Sequence, residues 1–205
     1  MAPSPGDGKL RSKKRVISER GEVVTTSKRK PWAAYALMFI PAALVTWLAH
    51  EFAHWQMGEA LGYDMWMSLN GGGIEGEGFY DSALDRSLVD AAGPLLTYIL
   101  AVGALALIRK TRSLILYPFL FLQFYMRAVA LGISVLSQPN DEARVSLELG
   151  LPLWLLPGIA VTLLLALTVI GSLTVRAGWT GNIIAYVMAS FLSAAIVFLD
   201  PGPIL

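Results

Sequence analysis

Five long apolar stretches set the strongest constraint on what this chain of 205 residues can fold into. They run roughly from 32 to 61, 88 to 108, 114 to 136, 152 to 175 and 179 to 199, and about 20 mostly apolar residues suffice to cross a membrane as a helix. Charged residues make up only 15% of the chain, whereas ordinary soluble domains carry about 25%. The sequence therefore predicts an all-α multi-pass membrane protein with about five transmembrane helices.

Residues 1–30 form a strongly basic segment that directly precedes the first span. Such a segment can bind nucleic acid, but beside a span it favours a topogenic tail that touches the lipid bilayer. The positive-inside rule places this segment in the cytoplasm. We expect a basic, disordered cytoplasmic tail over 1–30 and a membrane-embedded domain over 31–205, in the cell membrane and without a nucleic-acid partner.

The connection from 62 to 87 is rich in glycine and acidic residues. Its run Gly71, Gly72 and Gly73, followed by alternating Glu and Gly, is typical of turns and short edge strands. We expect a Gly-rich hairpin or a re-entrant loop after the first span. Alternation of the five spans places this connection, and the one from 137 to 150, on the non-cytoplasmic side.

The first span, which Pro41 is expected to kink, carries the motif His50-Glu51-Phe52-Ala53-His54 and with it both histidines of the protein. Two histidines four residues apart share one face of a helix and can bind one metal ion. In zinc hydrolases a neighbouring carboxylate acts as general base, which makes Glu51 the candidate catalytic residue. A chance match is the alternative, but a charge within a span costs at least about 2.5 kcal/mol, which favours a functional site.

A third ligand must be Asp or Glu, because the chain has no cysteine and no further histidine. The motif begins about 27 Å beyond the start of the first span if that span is helical, which places it near the non-cytoplasmic face. Asp141 and Glu142 follow the third span on the same side, where Pro139 can break the helix. Both are candidate ligands. Alternatively, Asn140 or Asp141 caps a following helix.

The combination resembles the site-2 protease family of intramembrane zinc metalloproteases. Within residues 45–145, the matching pieces are the motif at 50–54, the glycines between 71 and 78, Ala92-Gly93-Pro94 at the opening of the second span, and Pro139-Asn140-Asp141. Thr97 stands where the family often has Asn, and Glu142 stands where the family's Asp ligand is usually followed by Gly.

The resemblance implies one Zn²⁺ per chain, bound by His50, His54 and Asp141, with Glu142 as the alternative third ligand and Glu51 as the catalytic base. It further implies supporting or substrate-positioning roles for a second set of residues, namely Gly72, Gly73, Gly93, Pro94 and Asn140. The implied activity is hydrolysis of peptide bonds in or next to transmembrane segments of a membrane protein substrate, which the hairpin would bind as an extra strand.

Several alternatives stay open from sequence. The family holds zinc nearer the cytoplasmic face, whereas the charge distribution here places the motif near the opposite face. Arg127, in the third span, either supports the acidic residues near 140 or polarises a substrate carbonyl, or it snorkels or pairs with Asp90. The alternative function is a non-proteolytic multi-pass membrane metal-binding or scaffold protein. A homo-oligomer or a regulatory membrane partner is also compatible with the sequence.

Overall fold

The protein is described by a computed structural model that covers residues 15–17, 23–25, 31–76 and 78–205. The chain divides into two units, Met1–Pro31 and Trp32–Leu205. In the first unit, strands β1 (Arg15–Ile17) and β2 (Val23–Thr25) pair in antiparallel fashion. The rest of the predicted tail lies outside the described residues, and its disorder stays a prediction.

The second unit is an all-α multi-pass membrane protein domain, which confirms the predicted fold class. Its described residues include five helical segments long and apolar enough to cross a membrane: Trp32–Leu61, Ala83–Thr111, Leu114–Leu136, Leu155–Val175 and Gly178–Phe198. Large apolar side chains such as Leu95, Ile99 and Val102 are exposed on these helices. Lipid, rather than water, is the solvent that such a surface suits.

The first span consists of two helices, α1 (Trp32–Leu37) and α2 (Phe39–Leu61), separated at Met38. Pro41 has no backbone N–H, so the helical hydrogen bond one turn back cannot form. The helical hydrogen bonds from Met38 N–H to Ala34 and from Ala42 N–H to Met38 are present, so the predicted interruption is confined to the bond that the proline cannot donate. At the other end, α2 stops at Gly62, whose φ of 94° glycine adopts without strain.

A hairpin follows, as predicted, with strands β3 (Met65–Met67) and β4 (Gly72–Ile74) paired so that Trp66 lies opposite Gly73. The outer edge of β3 is covered by the chain's last described residues. Met67 N–H donates to the carbonyl of Leu205, and Ile204 N–H donates to the carbonyl of Met67. Asp200 accepts hydrogen bonds from the hairpin turn, at 2.6 Å from Ser68 Oγ and 3.1 Å from Asn70 N. These contacts leave β4 as the open edge of the hairpin.

Helix α3 (Ala83–Thr111) begins earlier than expected. Ser82 caps it, since its Oγ accepts a hydrogen bond from the backbone N–H of Asp85 at 3.0 Å. The expectation that Ala92-Gly93-Pro94 opens this span is wrong, because the polar first turn extends the helix before the apolar stretch. Pro94 consequently lies inside α3.

Four further helices complete the domain: α4 (Tyr117–Leu136) after the 3₁₀ turn Leu114–Leu116, α5 (Asp141–Glu148), α6 (Leu155–Val175) and α7 (Gly178–Phe198). Helix α2 packs against α3, and α4 packs against both α3 and α6. The short helix α5 lies against α3 and α6. It thereby carries the connection after the third span back towards α2, where the motif lies.

Candidate metal centre

Three side chains with metal-binding atoms converge where α2 meets α5. Nε2 of His50 lies 3.0 Å from Nε2 of His54 and 3.1 Å from Oδ2 of Asp141, and the distance from His54 Nε2 to Asp141 Oδ2 is 3.6 Å. Both imidazoles are buried, and one ligand atom of each of the three residues lies within 4.8 Å of the others. His50, His54 and Asp141 can therefore hold a metal ion.

Helix α3 orients both imidazoles through their Nδ1 atoms. His54 Nδ1 lies 2.6 Å from the carbonyl oxygen of Val89, which can only accept, so Nδ1 is the donor. His50 Nδ1 lies 3.2 Å from Thr97 Oγ1, whose own hydrogen is donated to the carbonyl of Gly93. Both rings therefore carry their proton on Nδ1, which leaves the Nε2 atoms unprotonated, as metal binding requires.

The donor set fits a cation. With both rings protonated on Nδ1, the two Nε2 atoms and Asp141 Oδ2 are three acceptors that face one another at 3.0 to 3.6 Å. Arg127 donates to Asp141 Oδ2 and lies 3.2 Å from His50 Nε2, which leaves His54 Nε2 as the acceptor for which the described residues provide no donor, and a buried acceptor without a donor is costly. Neutral imidazole together with carboxylate is a common metal-binding combination. A metal ion at this position would satisfy all three atoms at once.

The environments of Asp141 and Glu142 differ in a way that favours Asp141 as the ligand. Burial opposes ionisation of Asp141, but its contacts with His50 and His54 and the nearby charge of Arg127 hold the pKa of its carboxyl well below the usual range. Burial raises the pKa of Glu142, although Arg127 opposes that rise. A carboxyl group must be ionised to bind a metal, and Glu142 does not belong to the converging group.

Arg127 contacts this group without lining the open cavity. Its Nη1 donates to Asp141 Oδ2 at 2.9 Å and to Glu142 Oε2 at 3.1 Å, and its Nη2 lies 3.2 Å from His50 Nε2. Asp90, the alternative partner considered for Arg127, pairs with Arg144 instead. Arg127 is absent from the residues that line the cavity, so its contacts favour support of the acidic residues near 140 over contact with a substrate carbonyl.

A cavity of about 810 Å³ opens directly onto the centre. Glu51, His54 and Asp141 line it from one side, and β4 lines it through Gly72, Gly73 and Ile74. Because Glu51 precedes His54 by less than one helical turn, its carboxyl group reaches the same space as the candidate ligands. The cavity can therefore admit a polypeptide segment between the hairpin and the general-base candidate.

The residues to which the sequence assigned supporting roles are spread over three elements: α3, the start of α5 and strand β4. Gly93 packs directly against both imidazoles, and Pro94 is buried beside it in α3. Asn140 is the residue before α5, but its side chain accepts a hydrogen bond from Ser134 Oγ at 2.6 Å and does not cap that helix. Gly72 and Gly73 lie on β4, against the backbone and the ring of Trp66.

A methyl group at position 93 has no room, because an added Cβ would lie 2.7 Å from His50 Nδ1 and closer still to His54 Nε2. We expect Gly93→Ala to lower metal affinity about 10- to 100-fold, which is the usual effect of disturbing the residues that orient metal ligands. Competition with a chelator measures this affinity. Gly103→Ala is the matched control on the same helix, since nothing lies within 4 Å of its added Cβ; equal affinities in the two variants would contradict the packing role.

Sequence reasoning missed the contacts of three residues near the candidate ligands: Val89 and Thr97, which contact the imidazoles, and Asp90, which pairs with Arg144. Val89 acts through its backbone carbonyl, which no side-chain pattern reveals. Thr97 was noted only as a departure from the family pattern. Asp90, an ionisable residue inside a span, was noted only as a partner for Arg127, although its burial within a span was a usable signal.

Comparison with protein-family models, with curated proteins and with solved structures finds no match to this chain. The functional interpretation consequently depends on the geometry of the centre and on the motifs themselves.

Proposed function

We propose that this chain is a zinc-dependent intramembrane endopeptidase that hydrolyses peptide bonds in or next to transmembrane segments of membrane proteins, as the site-2 protease family does. The observation that carries the proposal is the meeting of His50, His54 and Asp141 in one group, with Glu51 lining the cavity that opens onto it. This is the arrangement of residue types that a metal-assisted peptide hydrolysis requires.

Zinc is the metal that this donor set favours. Two imidazole nitrogens and one carboxylate oxygen match the three protein ligands of many catalytic zinc sites, which keep a fourth position open. Ligands about 2.0 to 2.2 Å from a tetrahedral ion lie about 3.3 to 3.6 Å apart. One observed separation is 3.6 Å, and the other two, 3.0 and 3.1 Å, require only a small outward movement of the His50 ring. Zinc held by these residues would supply Lewis-acid activation of a water molecule and of the scissile carbonyl.

Glu51 performs the proton transfers in the proposed reaction. Its carboxylate takes a proton from the attacking water while the water oxygen forms a bond to the carbonyl carbon of the substrate. The same carboxyl group then delivers that proton to the leaving nitrogen as the carbon–nitrogen bond breaks, which returns Glu51 to its ionised form. The products are a new carboxyl end and a new amino end of the substrate.

The open edge of β4 is a further feature that favours a peptide as the substrate. Met67 directs its backbone N–H and C=O away from β4, towards Ile204 and Leu205. Because hydrogen-bonded pairs alternate along an antiparallel ladder, Gly72 and Ile74, the partners of Met67 and Met65, turn their backbone groups away from β3. Gly72 and Ile74 line the cavity. An extended substrate segment can add there as a third strand, with its backbone held within reach of Glu51.

Metal removal provides the test. The full chain, reconstituted in liposomes with a single-span membrane protein substrate, is expected to lose cleavage after treatment with a chelator and to regain it with about one equivalent of Zn²⁺. Cleavage that survives complete removal of the metal would contradict the proposal. Restored zinc binding without cleavage of any membrane-embedded or juxtamembrane segment would favour the non-proteolytic alternative.

A further inference from the structure

Arg144 connects helix α3 to the candidate ligand on α5. Its Nε and Nη2 donate to the two carboxylate oxygens of Asp90 at 2.8 and 2.6 Å, which is the paired geometry that fixes a guanidinium plane most firmly. The same Nη2 donates to Asp141 Oδ1 at 3.1 Å. Asp90 is almost fully buried, whereas the side chain of Arg144 is 34% exposed, so a buried carboxylate holds the more exposed cation in place.

The two oxygens of Asp141 are held by two different arginines. Arg144 binds Oδ1, whereas Arg127 binds Oδ2, the oxygen that faces His50 and His54. Arg127 also has a buried Nε for which the described residues provide no hydrogen-bond partner. A guanidinium can bind both oxygens of one carboxylate. Without Arg144, Asp141 would therefore be free to rotate into a two-oxygen contact with Arg127, away from the imidazoles.

All three candidate ligands are oriented from a single helix. Val89 and Thr97 of α3 accept hydrogen bonds from the imidazoles of His54 and His50. Asp90, which follows Val89 directly, acts on Asp141 through Arg144. The position of α3 thus sets the two ligands on α2 and the one on α5 relative to one another.

On this basis we propose that Asp90 and Arg144 are positioning residues that hold the Asp141 carboxylate in its metal-binding orientation. Both side chains also line the cavity, but the role proposed here acts through their contacts with each other and with Asp141, and it requires no contact with a substrate. The proposal rests on the proposed zinc function, since it assigns the pair to the same centre. It goes beyond that function by naming a part of the centre that lies outside the motif.

The test is the zinc affinity of the full chain in detergent, measured by chelator competition for Asp90→Asn, Arg144→Gln and the double variant. We expect each to lower affinity about 10- to 100-fold, and the double variant to match the single ones because all three break the same connection. In an Asp141→Asn background, neither substitution should lower affinity further. The visible absorption of bound Co²⁺ should change in the single variants, which reports altered ligand geometry independently of activity.

Arg86→Gln serves as the control, because Arg86 is an exposed cation on the wall of the same cavity. The zinc affinity of this variant should equal that of the wild type. Wild-type affinity in both Asp90→Asn and Arg144→Gln would overturn the positioning role, as would equal losses with and without Asp141. These outcomes leave zinc binding and cleavage by the wild type intact. Failure of the wild type itself to bind zinc would instead overturn the proposed function, and the positioning role with it.

Discussion

Glu51→Gln is expected to reduce peptide-bond cleavage by about 10²- to 10⁴-fold, the usual contribution of a general base, while zinc remains bound. The amide has nearly the shape of the carboxylate but cannot take a proton from water. Glu51 does not belong to the group of candidate ligands, so the metal should stay. The measurement combines the single-turnover cleavage rate of a membrane substrate in liposomes with the zinc content of the same preparation.

Asp64→Asn is the matched control for Glu51→Gln, because Asp64 is an exposed carboxylate that does not line the cavity. The cleavage rate of Asp64→Asn should stay within a few-fold of the wild type by the usual tolerance of surface positions. Undiminished cleavage by Glu51→Gln would show that another group transfers the proton. Loss of zinc from Glu51→Gln would show that Glu51 supports the metal centre instead of acting as the base.

Asp141→Asn is expected to lower zinc affinity by more than the roughly 100-fold that an orienting partner contributes, because it weakens a direct ligand. Glu142→Gln, a matched change at the next position, should have the smaller effect. Glu142 contacts Arg127 at 3.1 Å and does not join the imidazoles. The amide of the variant can still accept a hydrogen bond from Arg127, so the buried guanidinium keeps a partner.

Chelator competition on purified Asp141→Asn and Glu142→Gln decides between the two carboxyl groups. A larger loss in Glu142→Gln would move the third ligand by one position. Thermal unfolding of both variants should be followed in parallel, so that a loss of zinc can be separated from a loss of the fold.

The spans were predictable because their apolar length is a local property of the sequence. All five helical segments lie close to the predicted stretches, and the hairpin appears where glycine and acidic residues cluster. The predicted start of the second span was too late along the chain, because the first turn of α3 is polar. A hydropathy window begins only where apolar residues dominate. Ser82 was the usable signal, since serine before a helical segment commonly caps it.

The core of the candidate site was also predictable, because His50 and His54 lie four residues apart on one helix. The third ligand could be narrowed to Asp141 or Glu142 from the sequence, but the motif alone could not decide between these two residues. The choice depends on how α5 packs against α3, which brings Asp141 towards the imidazoles and Glu142 towards Arg127. Such a difference between neighbouring residues depends on the tertiary packing of the helices.

The residues around the ligands could not be derived from sequence for the same reason. The connection from Asp90 through Arg144 to Asp141 joins positions that are distant in the chain. It requires α3 and α5 to be in contact. Of the partners considered for Arg127, Asp90 was wrong and the acidic residues near 140 were right. Either arginine could have paired with Asp90, and only packing distinguishes them.

X-ray absorption at the zinc edge of the purified wild-type protein tests the central claim most directly. The predicted result is about one zinc per chain, bound by two imidazole nitrogens at about 2.0 to 2.1 Å and by oxygen at about 2.0 to 2.2 Å. The imidazole signal of bound zinc should fall in His50→Ala and in His54→Ala and be absent from the double variant. A protein without zinc, or a zinc shell that contains no imidazole, would contradict the account.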